Sequence, residues 1–136
     1  LLARFEDRGL FLRGLKLMRI TPALAARHYR EHKGKPFYQG LVNFMTSGPV
    51  VALAVEGKEA VRICRAMMGA TFCPDAAPGT IRGDFGVSNR FNLIHGSDSP
   101  KSARRELSIF FKKSELLGFQ DSDADNIYDM SGDIPL

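Results

Sequence analysis

Asn92-Leu93-Ile94-His95-Gly96-Ser97-Asp98-Ser99-Pro100 is a short apolar segment that ends in a histidine, then a glycine and a run of helix-capping residues. Glycine after His95 lets the backbone turn sharply without a Cβ clash, so a phosphate could approach closely. Ser97, Asp98 and Ser99 all favour the N-cap position, and Pro100 suits the first helical position. The helix that follows would aim backbone N–H groups back toward the histidine, a setting that favours anions. Taken alone, His95 also fits a hydrogen-bonded core residue. Its neighbours favour chemistry. Ala103, Leu107, Phe110 and Phe111 recur at i, i+4, i+7 and i+8, which predicts a helix from about Pro100 with one buried face and Glu106 at its margin. A carboxylate there is placed to orient an imidazole; the alternative is a solvated flank residue near Arg104 and Arg105. A nucleophile beside an anion-binding helix start points to phosphoryl transfer.

Working outward, Leu2 to Arg8 reads as the end of a helix stopped by Gly9, and Leu15-Lys16-Leu17-Met18 alternates as a strand. Thr21-Pro22 is an N-cap with proline at the first helical position, opening a helix through about Glu31; a second helix is expected from Pro36 to Met45. Val50 to Val55 is almost wholly apolar and predicts an interior strand with both faces covered. Glu59 to Met68 is helical in pattern and ends at Gly69. Ala70 to Phe91 has little periodicity and reads as a long loop, and loops of that length in a small domain are functional or disordered. Because it contains Arg82 and runs into His95 through a short strand, function is the better reading. Strands mixed with helices on short connections indicate an α/β sandwich built on one sheet.

The 136 residues, 44% hydrophobic and 25% charged, can bury one core and predict a single domain spanning residues 1–136. No apolar run is long enough to span a bilayer, and Leu1-Leu2-Ala3 is soon interrupted by Arg4, Glu6 and Asp7, so a cytoplasmic protein is expected. Cys64 and Cys73 form neither a metal nor a redox pair and read as reduced thiols. His28 and His32, spaced i, i+4, could clamp zinc, but no third ligand is nearby in sequence and a structural or solvent-facing role is preferred. The net charge of +4 could attract nucleic acid, yet the basic residues are spread along the chain and no basic stripe is interleaved with aromatics. Asp121, Asp123, Asp125, Asp129 and Asp133 make the C-terminal segment acidic.

The His95 segment, preceded by Pro78-Gly79-Thr80-Ile81-Arg82-Gly83-Asp84-Phe85, resembles the signature of nucleoside diphosphate kinases. The likeness continues through His28-Tyr29, Lys35-Pro36-Phe37-Tyr38, Ser47-Gly48-Pro49-Val50-Val51 and Glu56-Gly57, in the family's order, and weakens only toward the C-terminus. It implies a ferredoxin-like fold, an antiparallel four-stranded sheet covered by helices, assembled as a homo-hexamer or homo-tetramer. On this pattern His95 takes the γ-phosphate from a nucleoside triphosphate and hands it to a nucleoside diphosphate by a ping-pong route. Glu106 matches the carboxylate that orients the imidazole, and Ser97 matches a hydroxyl beside it. Arg65, Thr71 and Arg82 match phosphate ligands and Tyr29 a residue lining the phosphate site, while Asn92 matches a contact to the sugar. Phe37 matches the aromatic that stacks on the base, with Leu41 near it; the alternative for Phe37 is a staple packing on the following helix. Magnesium is implied by the substrates, held mainly by their oxygens.

Three departures stand out. Thr71-Phe72-Cys73-Pro74 replaces the usual Thr-Asn-Pro, and Phe91 stands where arginine is common, with Arg90 one place earlier. The family's first strand, with its Lys-Pro-Asp motif and phosphate-binding lysine, has no counterpart before Leu1. The chain is therefore expected to be a piece of a longer product, lacking its first strand and poorly stable and weakly active by itself. The main rival to an enzyme is a nucleotide-binding or assembly module that has lost turnover.

Overall fold

The computed structural model describes residues 1–118 of the chain; the acidic stretch from Asp121 to Asp133 lies outside the described residues. Its elements are α1 (Leu2–Asp7), β1 (Phe11–Arg19), α2 (Pro22–His28), α3 (Tyr38–Met45), β2 (Pro49–Glu56), α4 (Ala60–Met68), α5 (Ile81–Phe85) and α6 (Pro100–Phe110), with single 3₁₀ turns at Arg30–His32, Cys73–Asp75 and Lys113–Glu115. Among the described residues the chain divides into two units. The first comprises Leu1–Phe11 and Val55–Arg104, the second Leu12–Ala54 and Arg105–Gly118.

In the second unit, Thr21 caps α2 as expected: its hydroxyl accepts from the Leu24 N–H at 3.2 Å, and Pro22 fills the first helical position. Such a cap contributes about 1 kcal/mol. Regular α-helix stops at His28 rather than Glu31, and a 3₁₀ turn over Arg30–His32 takes up the difference. Ile20, Ala25, Tyr29 and Val42 form a buried cluster, with Met18, Leu24, Leu41, Met45, Val50 and Phe110 packed against it.

β1 and β2 pair in a two-stranded sheet, the strands identified in sequence but with β1 extended to nine residues. The expectation that β2 has both faces covered does not hold among the described residues: Ala54 is buried, but Val51 is 58% exposed. Apolar composition reports what a strand is suited to bury, and a continuous apolar run cannot by itself identify what lies on each face.

In the first unit, α4 ends at Gly69, whose φ of +84° is a conformation that glycine adopts without a Cβ penalty. The stretch from Ala70 to Phe91, read as a loop, contains α5. Thr80 caps it, its hydroxyl accepting from the Gly83 N–H at 3.1 Å. α1 is tied to the same region: Arg4 Nη2 lies 2.6 Å from Asp84 Oδ2, Arg4 Nη1 donates to the Gly79 carbonyl at 3.0 Å, and its guanidinium stacks over Phe85 at 5.1 Å. Asp84 Oδ1 accepts in turn from the Gly79 N–H at 2.7 Å. Phe5, Leu10, Phe11, Met68, Cys73 and Ile81 are the buried apolar residues of this unit among the described residues. Both cysteines are free thiols, and burial pushes the Cys64 thiol up. No helix among the described residues is long and apolar enough to cross a membrane.

Candidate active site

The segment before His95 is not the expected short strand. Leu93 has a φ of +71°, and the Ile94 N–H donates to the Asn92 carbonyl at 2.8 Å, closing a three-residue γ-turn. For a leucine, a left-handed backbone stores roughly 1–3 kcal/mol of strain and persists only where its surroundings hold it. Arg82 does the holding. It projects from α5, is 6% exposed, and spends its guanidinium on backbone carbonyls: Nε on Asn92 at 3.1 Å, Nη2 on Ile94 at 2.6 Å and Nη1 on Gly69 at 3.0 Å. One side chain thus grips the turn on both sides of Leu93 and ties it to the end of α4. Burial lowers the Arg82 pKa, nearby Cys73 opposes that shift and Arg65 adds to it; the guanidinium stays charged throughout the working range. The Asn92 amide adds a bond to the Thr71 carbonyl at 3.1 Å.

His95 follows this braced turn and is exposed. Gly96 packs closely on Met68: a Cβ there would meet Met68 Sδ at 2.7 Å, so that side chain would have to shift. The Gly96 carbonyl accepts from Arg65 Nη1 at 3.2 Å, so guanidiniums hold carbonyls before and after the imidazole. Ser97 is half-buried and Asp98 exposed. Ser102, then Ser99, hydrogen-bond the Asp98 carboxylate and hold its pKa below the usual value. Ser99 caps α6, accepting from the Ser102 N–H at 3.1 Å, and Pro100 is the first helical residue, as the sequence predicted. His95, Ser97, Asn92, Arg65, Thr71 and Arg82 therefore all belong to the first unit.

Tyr29, Phe37, Leu41 and Glu106 belong to the second. Tyr29 is buried, and burial followed by the charge of Glu106 raises its pKa. Glu106 is not a solvated flank residue: its side chain is 14% exposed, with Oε1 3.9 Å from His28 Nδ1 and 3.7 Å from Arg105 Nη2. Arg105 also donates to the His28 carbonyl at 3.3 Å. His28 is buried, with its ring 4.5 Å from Tyr29 and 5.2 Å edge-on from Phe110. The His32 ring lies 6.1 Å from Tyr29, and its Nδ1 is 3.3 Å from Lys35 Nζ. Phe37 is 51% exposed, with Lys35 Nζ 5.7 Å and the His32 ring 5.6 Å from its ring. A residue so open is a poor staple and a good platform. Leu41, one turn along α3, is half-buried against the core.

Sequence reasoning missed two contributors. Leu93 gave no signal, because leucine has no left-handed preference. Arg105 was not singled out, although its position one residue before Glu106 offered a hint of the pairing.

A sequence model of the family described as nucleoside diphosphate kinase matches residues 1–116. A nucleoside diphosphate kinase of Carboxydothermus hydrogenoformans is 58% identical over 120 residues, covering 88% of this chain and 80% of that protein. One of Chloroflexus aurantiacus is 56% identical over 127 residues, covering 93% and 84%. Among solved structures, a halophilic nucleoside diphosphate kinase from Halobacterium salinarum in complex with CDP superposes with a TM-score of 0.91 at 48% identity, covering 94% of this chain and 86% of that one. A Babesia bovis family member gives 0.90 at 42%, covering 93% and 86%. The expected ferredoxin-like α/β class is borne out by these likenesses. The chain belongs to the nucleoside diphosphate kinase family, whose enzymes transfer phosphate between nucleotides.

Proposed function

We propose that His95 is the group that carries the phosphate, taking it from a nucleoside triphosphate and passing it to a nucleoside diphosphate. The observation that supports this reading is an exposed imidazole on backbone whose flanking carbonyls are gripped by two arginines. A ring nitrogen of His95 attacks the γ-phosphorus, the bond to the β-phosphate oxygen breaks, and the nucleoside diphosphate departs. The acceptor's terminal phosphate oxygen then attacks the phosphohistidine, and the imidazole is regenerated. The phosphoryl oxygens carry most of the charge throughout, so positioning and cationic donors matter more than covalent assistance.

In this reading Arg65, Thr71 and Arg82 contact the phosphates, Tyr29 lines their site, Ser97 hydrogen-bonds near the imidazole and Asn92 meets the sugar. Glu106 orients and polarises His95. Phe37 and Leu41 receive the base, and stacking accepts any base because each has a π-face. Around His95 in its own unit the described charged side chains include Arg65 and Arg82, and the carboxylate of Asp98 is already engaged by serines. Such a set suits magnesium held on substrate oxygens rather than an all-protein cage. Magnesium brought in with the nucleotide would offset the charge of its phosphates. A single domain, cytoplasmic location, a homo-hexameric or homo-tetrameric assembly and no membrane or nucleic-acid partner complete the proposal.

Initial rates at varied concentrations of both nucleotides test it. Parallel double-reciprocal lines and loss of exchange in His95→Ala are expected; intersecting lines with an active His95→Ala protein would reject the phosphohistidine route.

A further inference from the structure

We infer that Arg105 works as a positioning residue: its guanidinium ties the carboxylate of Glu106 to the end of α2 and, through Glu106, keeps His95 in its reactive orientation. This inference rests on the reading of Glu106 as the carboxylate that orients His95.

Consecutive residues of a helix point in different directions, so a contact between the side chains of Arg105 and Glu106 is not a default of helical geometry. It arises because Arg105 is drawn to the end of another helix. Its Nη1 donates to the carbonyls of His28 at 3.3 Å and Arg27 at 3.5 Å, both in the last turn of α2. The last carbonyls of a helix have no intrahelical donor and carry partial negative charge, which suits a guanidinium. From that place Nη2 of the same group lies 3.7 Å from Glu106 Oε1. A planar guanidinium can serve carbonyls on one side and a carboxylate on the other, whereas an ammonium is a single point charge.

The same carboxylate oxygen meets a second group from the end of α2, the His28 ring, whose Nδ1 is 3.9 Å away. That ring is itself packed 4.5 Å from Tyr29 and 5.2 Å from Phe110. Glu106 Oε1 is therefore located by two side chains anchored at one helix terminus. The terminal torsion of a glutamate is broad, so such anchoring decides where the carboxylate points. The Arg105 and Glu106 side chains are 28% and 14% exposed, which leaves the pair less screened than one on the open surface. A reacting group misplaced by about 1 Å can lose about a hundredfold in rate; with His28 still present, loss of Arg105 should cost part of that.

Three measurements test the inference. Arg105→Met should lower single-turnover phosphorylation of His95 by at least about tenfold, while the Kd for a magnesium-bound nucleoside diphosphate changes by less than about threefold. Weakened binding with the rate of the bound complex kept would overturn the inference, because Arg105 would then act on the nucleotide. In a Glu106→Ala protein the same Arg105→Met change should cost less than about twofold, since no carboxylate remains to be held; equal losses in the two backgrounds would reduce Arg105 to a cap of α2. Arg105→Lys keeps the charge and serves if the methionine variant does not fold. It should still lose at least about threefold in rate, and a lysine variant as fast as the unmutated protein would overturn the two-sided grip. Finally, NMR of the unmutated protein should show slow rotation of the Arg105 Nη2 group that becomes faster in Glu106→Ala; equal rotation in both would show that Arg105 does not hold the carboxylate. A single-turnover rate unaffected by Glu106→Ala would instead overturn the role of Glu106 itself, and the NMR comparison, which does not depend on catalysis, still decides what Arg105 holds.

Discussion

The two units of this chain are held together by different physics. The second is organised around an apolar cluster of Ile20, Ala25, Tyr29 and Val42, with α2 and α3 supplying amphipathic faces. The first carries its most informative segment on polar contacts: Arg82 on three carbonyls, Arg65 on a fourth, Asn92 on Thr71, and Arg4 on Asp84 and Gly79. Apolar packing is tolerant of small displacements, whereas a hydrogen-bonded brace has direction and fixes a backbone at one geometry. The difference places the proposed nucleophile on the directional part and the proposed base platform, the exposed Phe37, beside the tolerant part. A reaction that demands exact placement of one imidazole yet accepts many bases would be served by that division.

The largest effect should come from the first unit. His95→Ala is expected to lower transfer by at least about a thousandfold while leaving nucleotide binding nearly intact, since the ring acts in the chemical step. Equilibrium binding and single-turnover transfer measured on the same preparation check this, and retained transfer would erase the functional distinction between the units.

Glu106→Gln should slow transfer by about one to three orders of magnitude with binding little changed, if the carboxylate acts on His95. Glu106 also neighbours His28 and Arg105, so thermal unfolding must be measured alongside. A rate drop that tracks lost stability would return Glu106 to a packing role in its own unit.

A smaller effect is expected at the platform. Phe37→Ala should weaken binding of purine and pyrimidine nucleotides alike, by about 1 to 3 kcal/mol, because stacking does not read the base edge. Calorimetry with two purines and two pyrimidines decides it, and a loss confined to purines would show that base recognition uses another contact.

The smallest effects should be opposite in pH. The Asp84 carboxyl is held low by the Arg4 hydrogen bond and then by the Gly79 N–H, so its contribution is present above the unfolded carboxylate pKa and fades as pH falls through the lower folded value. The Tyr29 hydroxyl is held high by burial and then by Glu106, so its contribution is complete below the unfolded tyrosine pKa and is lost as pH rises toward the folded value. Amide exchange should therefore quicken first around α1 and α5 in acid and first around α2 in alkali. Asp84→Asn should remove the acid response and Tyr29→Phe the alkaline one; responses that appear in both units at once would contradict separate supports.

How legible each unit was in the sequence follows from the same contrast. Thr21-Pro22 and the apolar run of β2 were readable because a cap and a short apolar run are local signals. Ser99-Pro100 was readable for the same reason, and the ordered motifs around His95 gathered the candidate residues. α5 was not readable: its five residues offer too few turns for a period to show, and its place depends on bonds from Arg4 and Arg82 to distant carbonyls. The γ-turn at Leu93 is likewise set by Arg82, eleven positions upstream, rather than by any preference of leucine. Arg82 could be recognised as important from its motif, but which backbone carbonyls it holds is a property of the folded chain.

The most direct test of the account is to locate the phosphate. The protein is mixed with a γ-labelled nucleoside triphosphate and magnesium, quenched at alkaline pH, where phosphohistidine survives, and mapped by peptide mass spectrometry. The account predicts one acid-labile phosphate on the peptide containing His95, discharged on adding a nucleoside diphosphate. Phosphate on His28 or His32, or label that the diphosphate cannot remove, would contradict it.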